Sequence, residues 1–278
     1  MSLVSVDLEL ALRQPGCPIC RLRQRSDRRY LFNLLYENVS DGGTRLHLVR
    51  GMGLCPEHAW ALQAIEHERW HDGLGVAIIY HDLAGRVSAD LAGWLDKNPP
   101  SRPGWRTRLC KQLKRAGATE RWLARRLSPA APGASLMANI SPVERCRACE
   151  LGGELKEIWL TWLVQGLADP DFRSRYAASD GLCLPHLRRA LAQAGEKREV
   201  RCLAEVAAGK LDPLVCDLGE YVRKHDWNNR EEPKVPREQA AWLRAVAFFA
   251  GEALPEEGAD VYRLRRSALA EYRQSREE

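Results

Sequence analysis

The sequence lacks any hydrophobic run long enough to cross a membrane. Its longest fully apolar stretches are short, such as residues 75–80, and the mean hydropathy is −0.41. A membrane-spanning helix needs about 20 consecutive apolar residues, so the sequence predicts no membrane span. Asp7 and Glu9 interrupt the apolar residues near the N-terminus, and no basic stretch precedes them. We therefore expect no signal peptide and a cytoplasmic protein.

Common catalytic motifs and the signature of β-strands are also missing. The sequence contains no P-loop and no G-x-S-x-G elbow, and residues 73–75 lack the third glycine of a dinucleotide-binding fingerprint. Strict alternation of apolar and polar residues, which is typical of half-buried strands, is scarce. The composition is nevertheless that of a packed globular protein, with 45% hydrophobic residues and charges of both signs. These features predict an all-α fold.

Nine cysteines are many for a chain expected in a reducing compartment, where grouped cysteines indicate a metal site or catalysis before disulfides. In each half of the chain, a C-x-x-C pair is followed by a G-L-C-x-x-H block. The offset between the two copies is nearly the same at both blocks, which indicates a duplication. The pattern comprises Cys17, Cys20, Cys55 and His58 in the first copy, and Cys146, Cys149, Cys183 and His186 in the second.

These residue types at this spacing are the ones that zinc prefers. Thiolate and imidazole are its preferred donors, and two ligands separated by two residues can face one ion from a single turn. A second such pair, brought in by folding, completes a tetrahedron. We therefore expect one Cys₃His site within each half of the chain and two Zn²⁺ ions in all. Four protein ligands leave no open position, which predicts a structural role. The alternatives are a redox-active dithiol, an iron–sulfur cluster and no metal at all.

The duplicated blocks, together with segments 221–227 and 241–246, resemble an uncharacterised bacterial domain-of-unknown-function family. The resemblance covers most of the chain, and the paired C-P-x-C and G-L-C-x-x-H motifs are its specific part. The second copy departs from this pattern, since Arg147 stands where the first copy has Pro18. The resemblance supports the expected fold, and it implies no known activity.

The duplication predicts two pseudo-repeated helical halves, each stabilised by its own Cys₃His zinc site. We expect an N-terminal zinc-binding repeat over residues 1–128 and a C-terminal repeat with extra helices over residues 141–278. Residues 128–140 between them are rich in proline, alanine and glycine, which is typical of a linker. The alternative is a long surface loop within one domain.

The positive charge is concentrated in residues 102–126, which carry nine Lys or Arg and only Glu120 as an acid. Trp105 and Trp122 lie among these cations. Such a segment predicts a nucleic-acid interface with tryptophans stacking on bases, or a surface for an acidic protein or an anionic membrane. The alternative is a solvent-exposed helix face whose tryptophans belong to the core. The basic residues are Arg102, Arg106, Arg108, Lys111, Lys114, Arg115, Arg121, Arg125 and Arg126.

Residues 67–71 match the H-E-x-x-H pattern of zinc peptidases. On a helix His67 and His71 would lie on the same face and bind zinc, and Glu68 would act as a general base. The extended peptidase pattern fails, because Leu74 stands where a glycine is needed. A zinc-dependent hydrolase using these residues is the alternative. We favour a non-enzymatic, zinc-stabilised helical binding or scaffold protein.

Overall fold

A computed structural model describes residues 3–98 and 134–252, and it confirms the all-α fold. These residues form twelve helices and no strand. In chain order the helices are α1 (Leu3–Leu12), α2 (Pro18–Tyr36), α3 (Gly42–Arg50), α4 (Pro56–Trp70), α5 (Leu74–Lys97), α6 (Ala134–Asn139), α7 (Arg147–Gly166), α8 (Pro170–Ala178), α9 (Leu184–Gln193), α10 (Lys197–Arg223), α11 (Pro236–Gln239) and α12 (Ala241–Ala250).

None of these helices, over the described ranges, is long and apolar enough to cross a bilayer. Several are strongly amphipathic, with one face buried and the other rich in charge. In α10, for example, Leu203 and Val206 are buried, while Arg201 and Glu205 on the opposite side are exposed and form an ion pair. This pattern is typical of helices that cover a protein core.

Proline sets where the helices after the two G-L-C-x-x-H blocks begin. Pro56 is the first residue of α4, and Cys55 before it is extended and occupies the N-cap. Helix α9 begins in the same way after Cys183, with Pro185 in its first turn. Proline has no N–H to satisfy and a φ that suits the first helical turn. The predicted helix start after Cys55 is therefore confirmed.

The chain divides into two compact units whose boundaries differ from those of the sequence repeat. One unit comprises Met1–Phe32 together with Ala148–Glu278, and the other comprises Asn33–Arg147. The first unit therefore combines the beginning of the N-terminal repeat with most of the C-terminal repeat. Residues 128–133 of the predicted linker lie outside the described residues.

In the first unit, one hydrophobic core joins helices from both ends of the sequence. Leu8 of α1, Ile19 of α2, Leu160 of α7, Tyr176 of α8 and Leu203 of α10 are all almost fully buried in it. Burying one large aliphatic side chain contributes roughly 1.5–3 kcal/mol. This core brings the start of α2 close to the start of α9.

The C-terminal helices of the first unit are ordered by charge pairs. Lys224 Nζ, at the end of α10, donates to both carboxylate oxygens of Glu238 in α11, at 2.9 and 2.8 Å. This hydrogen bonding lowers the pKa of the Glu238 carboxyl. Asp217 of α10 accepts from Arg244 of α12 at 2.8 Å. The pairs fix the direction of α12.

The second unit is built around α5. Helices α3, α4 and α6 all contact it. Leu48 of α3, Leu62 and Ile65 of α4, and Ile79 and Leu83 of α5 are buried there. This smaller core positions the start of α4, which carries the first G-L-C-x-x-H ligands.

Candidate metal centres

The eight predicted ligands converge in two groups, each with three cysteines and one histidine. Within each group the ligand atoms all lie within 4.8 Å of one another. We call the first the buried centre, because all four of its residues are buried. We call the second the accessible centre, because only its histidine is buried. The buried centre comprises Cys17, Cys20, Cys183 and His186, and the accessible centre comprises Cys55, His58, Cys146 and Cys149.

The predicted pairing of ligands within each half is wrong. Each centre combines the C-x-x-C pair of one repeat with the G-L-C-x-x-H block of the other. The two copies offer the same donors at nearly the same spacing, so sequence alone gives no basis for choosing a partner. The choice is made by packing. The core of the first unit brings Cys17 at the start of α2 to Cys183 at the start of α9.

The distances in the buried centre fit a tetrahedral zinc ion. Cys20 Sγ lies 3.7 Å from Cys183 Sγ and 3.4 Å from His186 Nδ1, and Cys17 Sγ lies 3.5 Å from the same nitrogen. With Zn–S near 2.3 Å and Zn–N near 2.0 Å, the edges of a tetrahedron are about 3.8 Å for S···S and about 3.5 Å for S···N. The four donors therefore surround a space of the right size for Zn²⁺.

The protonation of the thiols in the buried centre is strongly perturbed. Burial raises the pKa of the Cys17 thiol. Hydrogen bonds from the Cys17 and Cys183 thiols lower the pKa of Cys20. A cation is the species that lets all three sulfurs ionise together, so metal binding here displaces protons.

Residues outside the predicted motifs close the buried centre. Gly16 N donates to Asp180 Oδ2 at 2.8 Å, and Cys17 N donates to Glu252 Oε1 at 3.2 Å. Gly251 has φ +83°, and a Cβ there would lie 3.4 Å from Cys20 Sγ. These residues give the ligand loops a fixed position. Two of them could have been noticed in the sequence, because Gly16 directly precedes the C-x-x-C pair and Asp180 directly precedes the G-L-C-x-x-H block.

The accessible centre has a similar local geometry. Cys55 Sγ lies 3.1 Å from His58 Nδ1, and Cys146 Sγ lies 3.7 Å from the same atom. Cys149 is exposed, whereas His58 is fully buried. Burial raises the pKa of Tyr80 in α5, and the negative charge of the nearby Cys146 and Cys55 as thiolates raises it further. This centre is therefore open to solvent on the side of Cys149.

The helix that carries Cys149 begins later than the sequence predicts. The sequence suggests a capping box at residues 141–144, with both cysteines one turn inside the helix. Instead, α7 begins at Arg147, so Cys146 precedes it. Val143 N donates to the carbonyl oxygen of Arg50 at 2.8 Å, and Glu144 binds the side chain of Arg50. These contacts tie the residues before Cys146 to the end of α3.

The H-E-x-x-H segment lies at the end of α4. The helix ends at Trp70, and His71 has a left-handed φ of 53° and donates its backbone N–H to the His67 carbonyl. The two histidine rings stand edge to face, with centroids 6.1 Å apart. Over residues 3–98 and 134–252, no group of three potential metal ligands includes either histidine. The peptidase motif requires both histidines within one continuous helix. Here His67 lies in α4, and His71 follows its last residue.

The basic segment 102–126, with Trp105 and Trp122, lies outside the described residues. So does Cys110. Of the two other cysteines that the motifs do not use, Cys202 is buried in α10 and Cys216 is exposed on the same helix. Neither contributes to a metal-ligand group among the described residues.

Comparison with known proteins agrees with the resemblance seen in the sequence. The uncharacterized 23.9 kDa protein in the xynA 3′ region of Caldicellulosiruptor sp. (strain Rt8B.4) is 25% identical over 240 residues, which cover 86% of this chain and 97% of that protein. No solved structure matches the chain. A model of a family of unknown function, DUF6062, matches residues 6–256, a range that includes all eight candidate ligands. The chain therefore belongs to this family of unknown function.

Proposed function

We propose that this protein is a zinc-stabilised helical scaffold that presents a binding surface, with two zinc ions in structural roles. The observation that carries the proposal is the convergence of three cysteines and one histidine in each of two groups. Four such donors satisfy the tetrahedral preference of Zn²⁺ and leave no position for a substrate or a catalytic water. Zinc binding then contributes on the order of 10 kcal/mol to folding at neutral pH, because the unfolded chain has no preformed site.

The donor set favours zinc over a redox-active dithiol and an iron–sulfur cluster. A redox-active dithiol needs only two cysteines, whereas each group brings a third thiol and an imidazole to the same point. Iron–sulfur clusters are usually held by four thiolates. Reduced, metal-bound cysteines also suit the cytoplasm, where we place the protein.

Elemental analysis of the purified full-length chain tests this proposal. We expect two zinc ions per chain. Cys149→Ser should remove about one zinc, whereas Cys216→Ser should remove none, because Cys216 is also exposed but belongs to neither group. Absence of zinc after purification under reducing conditions, or an unchanged content in Cys149→Ser, contradicts the proposal.

We place partner recognition on the basic segment 102–126. Its support is the charge, since nine cations stand with one acid, and the two tryptophans among them. Nucleic acid is the first candidate partner, because Lys and Arg bind the phosphate backbone and aromatic rings stack on bases. An acidic protein is the second. Such a segment, attached to a metal-stabilised scaffold, would act as the binding element.

A labelled single-stranded oligonucleotide, titrated at several salt concentrations, separates the two partners. For nucleic acid, the affinity should fall steeply with salt, and reversing Lys111, Lys114 and Arg115 to Glu should abolish binding. A matched control reverses three exposed arginines elsewhere, Arg29, Arg86 and Arg188. If the unaltered chain does not bind at low salt, or if both triple variants lose binding equally, the nucleic-acid proposal is wrong.

A further inference from the structure

A cleft of about 550 Å³ lies between α8 and α10 in the first unit. It does not include any metal ligand, and it does not rest on the function proposed above. Its volume falls within the range of about 300–1,000 Å³ that is usual for small-molecule sites. Three features of the cleft bear on what it can hold: its floor, its charge and its open space.

The floor of the cleft is apolar. Ala177 of α8 and Cys202 and Val206 of α10 line it, and the last two are buried. Burial raises the pKa of the Cys202 thiol, and Arg173 is close enough to lower it in part. An apolar floor with cations beside it suits a ligand that has both a hydrophobic body and a negative group.

The wall and rim of the cleft are strongly basic. Arg173, Arg198, Arg201 and Lys210 line it with a single carboxylate, Glu205. That carboxylate accepts from Arg201 at 2.7 Å. The remaining charge of the lining is therefore positive. Like charges in a concave surface reinforce one another and attract anions.

Within the described part of the chain two of these cations form no ion pair, although Arg173 Nη1 donates to the carbonyl oxygen of Leu167 at 3.4 Å. Over residues 3–98 and 134–252, neither Arg173 nor Lys210 has a carboxylate oxygen within 4.0 Å. Other cations of this unit are paired, as Arg175 is with Glu9 and Lys224 with Glu238. An anion bound between two such cations gains more electrostatic stabilisation than it would beside a cation that already has a carboxylate partner.

Open space lies where the ligand would sit. Gly209 lines the cleft on the same face of α10, and a Cβ built there meets nothing within 4 Å. A glycine inside a helix costs roughly 0.5–1 kcal/mol relative to alanine. Its presence keeps this part of the cleft clear between Val206 and Lys210.

We propose that this cleft binds a small phosphate-bearing ligand of nucleotide size, with its phosphates between Arg173 and Lys210 and its apolar body on the floor. A diphosphate carries at least two negative charges, one for each of these cations. A neutral nucleoside lacks the charge that the rim requires.

Titration calorimetry on the zinc-loaded full-length chain tests the proposal with inorganic pyrophosphate, adenosine 5′-diphosphate and adenosine. We expect saturable binding of both diphosphates at one site, tighter for the nucleotide, and none for adenosine. Arg173→Gln and Lys210→Gln should each weaken binding about tenfold or more. Gly209→Leu should abolish nucleotide binding, because the leucine side chain would fill the cleft. This variant leaves every charge in place and favours the helix, so it tests the space alone.

Arg86→Gln is the matched control, because Arg86 is an exposed arginine of α5 that does not line the cleft. It should bind as the unaltered chain does. Circular dichroism and zinc content establish that each variant is folded. The proposal fails if pyrophosphate shows no saturable binding, or if the cleft variants bind as well as Arg86→Gln does. It also fails if an oligonucleotide displaces the diphosphates from the same residues, which would assign the cleft to nucleic acid.

Discussion

At the scale of single residues, the two G-L-C-x-x-H blocks adopt the same local structure, a helix start that carries two metal ligands. Cys55 and Cys183 occupy helix N-caps with φ −63°, ψ 162° and φ −66°, ψ 159°. The histidine three residues later lies in the first turn, and its Nδ1 is 3.1 Å from the cysteine Sγ in both blocks. The positive end of a helix also favours a thiolate at its N-cap. Each block therefore offers a pair of ligands, and in the structure each lies with the C-x-x-C pair of the other repeat.

Paired cysteine substitutions distinguish the crossed pairing from pairing within each half. Cys17→Ser with Cys183→Ser alters only the buried centre, so that variant should keep about one zinc per chain. Cys17→Ser with Cys55→Ser alters both centres, and that variant should lose both ions. Elemental analysis of the two double variants is the measurement. Pairing within each half predicts the opposite zinc content for each double variant. That outcome would contradict the crossed pairing.

At the scale of secondary-structure elements, a side chain of one helix caps the next. Glu66 of α4 is buried, and its carboxylate accepts from the backbone N–H groups of Gly75 and Val76 in the first turn of α5. A Cβ on Gly75 would lie only 2.9 Å from Glu66 Oε1, so the glycine makes this approach possible. The contact fixes α4, which carries His58, against α5, which carries Tyr80.

Glu66→Gln should destabilise the protein by about 1–3 kcal/mol, because it removes the charge that two helical N–H groups bind while keeping the side chain's size. Urea unfolding at fixed zinc concentration measures the change. The control is Glu154→Gln, an exposed glutamate of α7, which should change the free energy of unfolding by less than about 0.5 kcal/mol. An equal effect of both substitutions would show that the cap contributes nothing.

At the scale of the whole molecule, the crossed pairing makes metal binding a property of the full chain. In the buried centre, Cys20 and Cys183 meet across a sequence separation of 163 residues. Sites confined to each half would close much shorter loops. Cross-links over long loops remove more freedom from the unfolded chain, although the increase with length is slow. Loss of the buried centre should therefore affect helices at both ends of the sequence, not one half alone.

The two centres should release zinc at different rates to a chelator. All four ligands of the buried centre are buried, whereas Cys149 of the accessible centre is exposed. A colorimetric chelator should therefore record a fast and a slow phase. Cys149→Ser should lack the fast phase, and Cys183→Ser should lack the slow one. A single phase in the unaltered chain, or the opposite assignment, would contradict this difference in access.

Acidification should drive zinc from both centres, because thiolates and a neutral imidazole must gain protons as the metal leaves. The direction follows from the ligands themselves, because a thiol of ordinary pKa is protonated at neutral pH, and burial raises the pKa of the Cys17 thiol further. Adding zinc to the metal-free protein should accordingly release protons. A pH-indicator dye in weak buffer measures them. Zinc uptake without proton release would contradict the protonation described for the buried centre.

Much of the molecule follows from local rules that a sequence displays. Proline after Cys55 marks a helix start, and alternation typical of strands is scarce, so the all-α fold and the start of α4 were predictable. The residues that close the buried centre were not, because Glu252 lies far from Cys17 in sequence and forms no motif with it. The capping of α5 by Glu66 was not predictable for a similar reason, because the carboxylate precedes the N–H of Gly75 by nine residues and forms no recognised capping motif with it.

By itself, the sequence determined the eight donor residues, their chemistry and their division into two kinds of block. These depend on residue type and on spacings of two or three positions, which the backbone translates directly into local geometry. Only the tertiary structure decided which block meets which. The two copies offer the same metal donors at nearly the same spacing, so the pairing depends on the burial of Ile19, Leu160 and Leu203 in one core. That burial is a cooperative sum over distant residues, and no short motif carries it.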